Sequence, residues 1–446
     1  VPDRPAPRHG PPNHRPTGGG RPAAAARLVA ALVAAALAAG CGGSDDDGSG
    51  GAAAEVAWVR DLMTTRYLYA ERVPAADLTG VLTAEAALEA LRVNPPDRFS
   101  YVERRDRYRA FFDEGQTVGL GIVFRAEADA LALRVVQPAS PAAAAGLRRG
   151  DRILAIDGTP VATLLAEGRV NAAIGPSEAD LTLRLTVRSG AAVRDVAVTK
   201  AAYPVSPVLT SRLLEHGDRP VGYVALYTFV DPTGAAWTQA IDALRAAGAR
   251  TLVVDLRDNG GGRLFSAAEV AGSLVGPTAV GQPFVALRYN ARRAADARTI
   301  PLPAHPAAGS FDRVAWLVSE ATCSAAEVLV AGLLPYRADA SIGTRTCGKP
   351  VGFDPQTRGD TVLSAVTFAT VDRDGRGDWF DGLAPTCEVT AEPLLPLGDP
   401  SDPRLAQALH WLDTGRCAAP VAEAAARRAP PPQPPPAGLA RETGLH

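Results

Sequence analysis

The sequence predicts an α/β chain in which a helical segment and a β-rich segment precede a core of parallel strands. Three observations predict it. From Val221 onward, apolar runs rich in β-branched residues (Val221–Leu226, Thr251–Leu256, Val314–Val318) alternate with helical stretches such as Pro232–Ala247 and Ala325–Leu334. That alternation builds a parallel sheet covered by helices. Between Gln116 and Lys200 the texture changes to short strands and tight glycine turns, the mark of a small β-rich module. Before that, Val56, Val59, Leu62 and Met63 share one face at helical spacing.

Composition bounds the function. A chain of 446 residues, 47% of them hydrophobic, has room for about three packed domains. With 46 basic against 48 acidic residues the net charge is −2, which gives no reason to expect a nucleic-acid surface. The six histidines include no HExxH spacing, so no zinc centre is expected, and the sequence implies no metal or organic cofactor.

In chain order, residues 1–40 read as an export signal. Arginines and prolines lead into an apolar run, Leu28–Ala39, too short for a mature membrane span. Small residues end it at Cys41. The arrangement resembles a bacterial lipoprotein signal, although Ala38 stands where that pattern has leucine. By that resemblance Cys41 is lipidated and anchors the protein to a membrane, in the cell envelope and outside the cytoplasm. Residues 41–52 read as a flexible Gly/Ser/Asp tether, and residues 53–112 as a helical domain carrying no chemistry, with a break at Asn94-Pro95-Pro96.

Residues 113–200 form the β-rich module. Val118–Phe124 reads as one strand starting in paired glycines, and AGLRRGDRILAIDG (residues 145–158) gives a glycine turn, a strand and an Asp-Gly hairpin. This stretch resembles the PDZ signature. Such modules bind a peptide as an added strand and hold its terminal carboxylate with backbone N–H groups. The resemblance makes Gly119-Leu120-Gly121 the carboxylate loop, with Leu120 and Ile122 lining the pocket for the last side chain.

Residues 201–417 carry the chemistry. TLVVDLRDNGGGRLF (residues 251–265) runs from a strand into three glycines that open a helix, so its backbone can present N–H groups to developing negative charge. RVAWLVSEATCSAAE (residues 313–327) places Ser324 on a strand-to-helix turn, where a hydroxyl is exposed at the positive end of a helix. Lys349 follows 25 residues on; a neutral lysine amine can take the proton of a serine hydroxyl. Taken alone, Ser324 is equally a helix cap and Lys349 a solvated cation.

The ordered set VVDLRDNGGG, TCSAAE, GTRTCGKPVGF and FDGLAP resembles the S41 serine peptidases, the C-terminal processing or tail-specific proteases, over roughly residues 54–388. The resemblance implies a crotonase-like (ClpP/crotonase-type) core and a serine endopeptidase acting on proteins or peptides near their C-termini. It makes Ser324 the nucleophile and Lys349 the general base, and places the oxyanion hole at the backbone N–H groups of Gly261 (or Gly260) and Ala325. One position departs from the pattern. Many members carry a glutamine four residues after the lysine; here it is Phe353, with Gln356 off register.

Besides Cys41 there are Cys323, Cys347, Cys387 and Cys417, which allow three pairings in an oxidising compartment. Cys323 and Cys347 flank Ser324 and Lys349 and are expected close in space, leaving Cys387 and Cys417 to tie the C-terminal helix to the core. A Cys323 nucleophile is a competing reading, though no histidine lies near it in sequence. The wider rivals are a non-catalytic PDZ scaffold and a small-molecule serine hydrolase. Residues 418–446 read as a proline-rich disordered tail.

Overall fold

The structure is a computed structural model and describes residues 48–419. The signal, Cys41 and nearly all of the proline-rich tail therefore lie outside the described residues. Among those described, no helix is long and apolar enough to cross a membrane.

Helix α1 (Gly48–Thr65) begins inside the stretch read as a tether, because the alanines from Ala52 propagate the helix backward through the glycines. It packs its Val56, Val59, Leu62 and Met63 face against α2 (Ala84–Leu91). The helical reading fails at β1 (Tyr101–Arg104), which pairs antiparallel with a strand some 260 residues away, Tyr101 facing Ser364 and Val102 facing Leu363. β-formers with a distant partner outweigh the local helical pattern here. Helix α3 (Arg105–Phe112) follows directly.

The next sheet has the order β2 (Ile122–Ala126), β3 (Leu131–Val136), β4 (Arg152–Ile156), β5 (Thr182–Ser189) and β6 (Ala192–Thr199), antiparallel throughout. Short helix α4 (Pro141–Ala144) enters through its Ser140 cap. The expected continuous strand from Val118 is broken. Gln116–Gly119 pairs with Ala201–Pro204, and Gly121, at φ 84°, turns the chain into β2.

The main sheet runs β7 (Val208–His216), β8 (Arg219–Leu226), β9 (Thr251–Asp255), β12 (Arg313–Val318), β13 (Ala340–Gly343) and β17 (Cys387–Glu388). Every pairing is parallel except β7 with β8. Helices α5 (Thr233–Ala246), α6 (Leu264–Leu274) and α7 (Ala325–Leu333) bury one face, and α8 (Pro403–Thr414) covers the other. A second, antiparallel sheet stands beside it: β11 (Arg298–Pro301), β10 (Pro283–Tyr289), β16 (Val366–Val371) and β14 (Val351–Phe353). Between β14 and β16, β15 (Thr361–Ser364) leaves to pair with β1. Function-bearing turns thus gather at the C-terminal ends of β9 and β12, where open parallel sheets place their sites.

Candidate active site

The turn after β12 carries Ser324 at φ 55° and ψ −119°. A non-glycine residue in that region is strained by about 1–3 kcal/mol and persists only when its surroundings impose it. Glu327 is part of what imposes it. Fully buried on the first turn of α7, its carboxylate accepts from Ser324 N (2.9 Å), Thr346 Oγ1 (2.5 Å), Gly348 N (2.9 Å) and Lys349 N (2.8 Å). Burial pushes this carboxyl upward, while the hydrogen bonds pull the other way. One side chain therefore fastens the serine turn to the segment bearing Lys349. The Ser-x-x-Glu spacing is the sequence signal of a capping box; its second attachment, to residues 346–349, has no local signature.

Lys349 is 3% exposed, with Nζ 4.3 Å from the ring centre of Phe353 and 5.4 Å from that of Phe99. Phe353 thus occupies the glutamine's place in the family pattern by offering a ring face instead of an amide. Ser324 opens onto a pocket of about 190 Å³ whose walls include Leu287, Ile300, Val328, Phe353 and Phe368, with Tyr108 and Phe112 contributed by α3. Arg263, Arg298 and Asp354 also line it.

The glycine turn is held against the serine turn. Asn259, buried completely, donates Nδ2 to Leu226 O on β8 (2.9 Å) and accepts Cys323 N at its carbonyl (3.0 Å). A Cβ on Gly261 would lie 2.8 Å from Cys323 O and 3.0 Å from Ala325 N, so only glycine allows this approach. Ala325 N, the first amide of α7, has no protein acceptor among the described residues and can serve an oxyanion. Gly261 departs from expectation: its own amide donates to Asn259 Oδ1 at 2.8 Å. Its backbone is in place, but that N–H is already engaged.

The cysteines pair as Cys323–Cys347 and Cys387–Cys417. Cys323 therefore has no thiol to act as a nucleophile, and that reading is set aside. Cys323, Cys347 and Glu327 cluster closely enough to suggest a metal site, but the two sulfurs are bonded to each other.

The four PDZ positions fall together at the start of β2, but Leu120 and Ile122 are each 1% exposed and pack into the module's own core. Their burial follows from the module's small core, which draws in apolar side chains from the start of β2. Sequence reading also missed how this module joins the main sheet. Arg134 of β3 meets Asp258 (2.7 Å), Glu392 (3.3 Å) and the carbonyl of Arg257 (3.1 Å), and Arg149 meets Asp258 (3.1 Å).

Three comparisons bear on the chain. Residues 220–389 match the model of Peptidase family S41, residues 133–174 that of the PDZ domain, and residues 54–101 that of the Peptidase S41 N-terminal domain. A carboxyl-terminal-processing protease of Picosynechococcus sp. is 28% identical over 335 residues, 74% of this chain and 78% of that protein. One from Synechocystis sp. is 25% identical over 337 residues, 74% and 77% of the two chains. Among solved structures, an S41 protease of Bacteroides fragilis superposes with a TM-score of 0.63 at 21% identity, covering 80% of this chain and 97% of that one. That likeness shows the fold.

Proposed function

We propose that this S41-family serine peptidase cleaves protein or peptide chains with Ser324 as nucleophile and Lys349 as general base. The observation that carries the reading is a strained serine at the head of α7, facing a pocket and fastened through Glu327 to the Lys349 segment. Lys349, as the neutral amine, takes the Ser324 hydroxyl proton as Oγ attacks the scissile carbonyl. The oxyanion forms beside Ala325 N, with a second donor from the glycine turn. The lysine then gives its proton to the leaving amine, and water releases the acyl group from Ser324. The apolar pocket walls favour an apolar side chain at the scissile bond.

Substrates are engaged by their C-termini through the PDZ module, whose β2 is an edge strand of its sheet. The enzyme works outside the cytoplasm, held to the membrane by lipidated Cys41. Two disulfides among the described residues support an oxidising compartment.

The test is a double-mutant cycle. Ser324→Ala and Lys349→Ala should each reduce kcat on the order of a thousandfold or more while leaving the circular-dichroism spectrum intact. The double variant should lose little beyond either single one, because the two act as a unit. Appreciable proteolysis by folded Lys349→Ala removes the lysine from the mechanism.

A further inference from the structure

We propose that the Cys323–Cys347 disulfide positions Ser324 against Lys349, so that its reduction turns the peptidase down. The proposal rests on the Ser324–Lys349 reading above. Cys323 immediately precedes Ser324, and Cys347 stands two residues before Lys349, so the bond links the nucleophile's turn covalently to the base's segment.

The backbones of both cysteines already belong to the site. Cys323 N donates to Asn259 O (3.0 Å), and Cys323 O lies against the Gly261 backbone. Cys347 N donates to Thr322 O (3.1 Å), and Cys347 O accepts from Arg98 (2.6 Å). A movement of either sulfur is therefore passed to the glycine turn, the serine turn and the Lys349 segment together. Ser324 needs this support because its φ of 55° is imposed from outside.

Reduction does not release the two segments altogether. Glu327 still bridges Ser324 N to Gly348 N and Lys349 N. What changes is register. Breaking the bond turns a covalent link into a nonbonded sulfur contact, about 1.5 Å longer on general grounds. A displacement of about 1 Å in a catalytic group costs on the order of a hundredfold in rate. Both cysteines are only partly buried, so a small dithiol can reach them. The balance is a two-electron exchange: the dithiol gives two electrons and two protons, Cys323 and Cys347 become thiols, and the reductant closes to its own disulfide.

The second disulfide supplies an internal control. Cys387–Cys417 joins β17 to the segment after α8 and touches neither the serine nor the lysine turn. The experiment titrates the oxidised enzyme with dithiothreitol, follows kcat and KM on a peptide, and maps free thiols by alkylation and mass spectrometry. Freeing Cys323 and Cys347 should lower kcat ten- to a hundredfold, with KM and the melting temperature nearly unchanged, and reoxidation should restore it. Cys387→Ser/Cys417→Ser should keep that response; Cys323→Ser/Cys347→Ser should be slow and indifferent to reductant. Unchanged kcat with both thiols alkylated, or a loss that follows Cys387–Cys417, overturns the proposal. So does global unfolding on reduction of Cys323–Cys347. Oxidised enzyme that neither turns over nor labels at Ser324 with a fluorophosphonate defeats the peptidase reading itself, an outcome separable from active enzyme that ignores reductant.

Discussion

Phe353 presents its ring to Lys349 Nζ at 4.3 Å while packing edge-on against Tyr101, their ring centres 5.7 Å apart. It also walls the pocket into which Ser324 opens. One side chain therefore shapes the lysine's surroundings, joins the N-terminal segment to β14 and limits the substrate's space. The ring face attracts a cation by its quadrupole but offers no acceptor lone pair, where the family pattern has an amide. Phe353→Gln supplies that acceptor and removes the ring. Turnover should be retained or raised, while the lost edge-to-face pair, worth about 0.5–1.5 kcal/mol beyond buried area, should lower the melting temperature by a few degrees. Parallel measurements of kcat and thermal unfolding test this. A folded but inactive Phe353→Gln would show that the ring itself orients the lysine.

At the scale of elements, the C-terminal end of β9 is held by buried charge rather than by packing alone. Arg257, 1% exposed, bonds Asp255 through Nε (2.9 Å) and Nη2 (2.6 Å) and reaches Asp402, the cap of α8, through Nη1 (2.5 Å). Tyr223 OH adds a bond to Asp255 (2.6 Å). Burial by itself would push the Asp255 carboxyl up; Arg257 and these hydrogen bonds outweigh it and hold the group down at about 2. A carboxyl depressed by folding contributes stability that is present above its unfolded value, about 3.9, and is lost as pH falls through the folded value. Stability should therefore fall by about 2–3 kcal/mol from this group between roughly pH 4 and pH 2. Asp255→Asn should flatten that limb yet be less stable at pH 7, because Arg257 stays buried and half-paired. Urea unfolding at pH 7, 4 and 3 checks it; a limb equally steep in Asp255→Asn would assign it elsewhere. None of this was legible in sequence. The β-branched run Thr251–Leu256 announces a strand, but Asp402 is 145 residues from Arg257, and no periodicity marks a partner at that distance. Glu327 was half legible: its spacing from Ser324 reads as a cap, and only the fold brings residues 346–349 to it.

Across the whole molecule, the alternation of strands and helices, the glycine turn and the Ser324 and Lys349 stretches could be read locally, and the fold brings those stretches together. What could not be read was how the modules join. Arg134 and Arg149, separated from Asp258 by over a hundred residues, tie the PDZ sheet to the residue beside Asn259, and Asn259 positions the glycine turn. A peptide docked on the PDZ sheet as proposed would therefore act on a module tied, through Asp258, to the residue next to the glycine turn. That gives the C-terminal preference its final test. A peptide with a free carboxylate and a small or apolar last residue should be cleaved more efficiently than its amidated form. Burying one such side chain is worth about 1.5–3 kcal/mol, or roughly ten- to a hundredfold. Leu120 and Ile122 are already buried in the module's core, so little of their own surface is left to cover and the lower end of the range is expected. Gly121 supplies the perturbation: at φ 84° a Cβ there would fall 2.1 Å from Ser140 Cβ, so Gly121→Ala should distort the loop. It should lower kcat/KM for long peptides with free C-termini and spare a short ester, which needs only Ser324, Lys349 and the oxyanion donors. If amidated and free peptides are cleaved alike, and Gly121→Ala slows ester and peptide equally, the PDZ module does not select C-termini and its tie to Asp258 serves the fold alone.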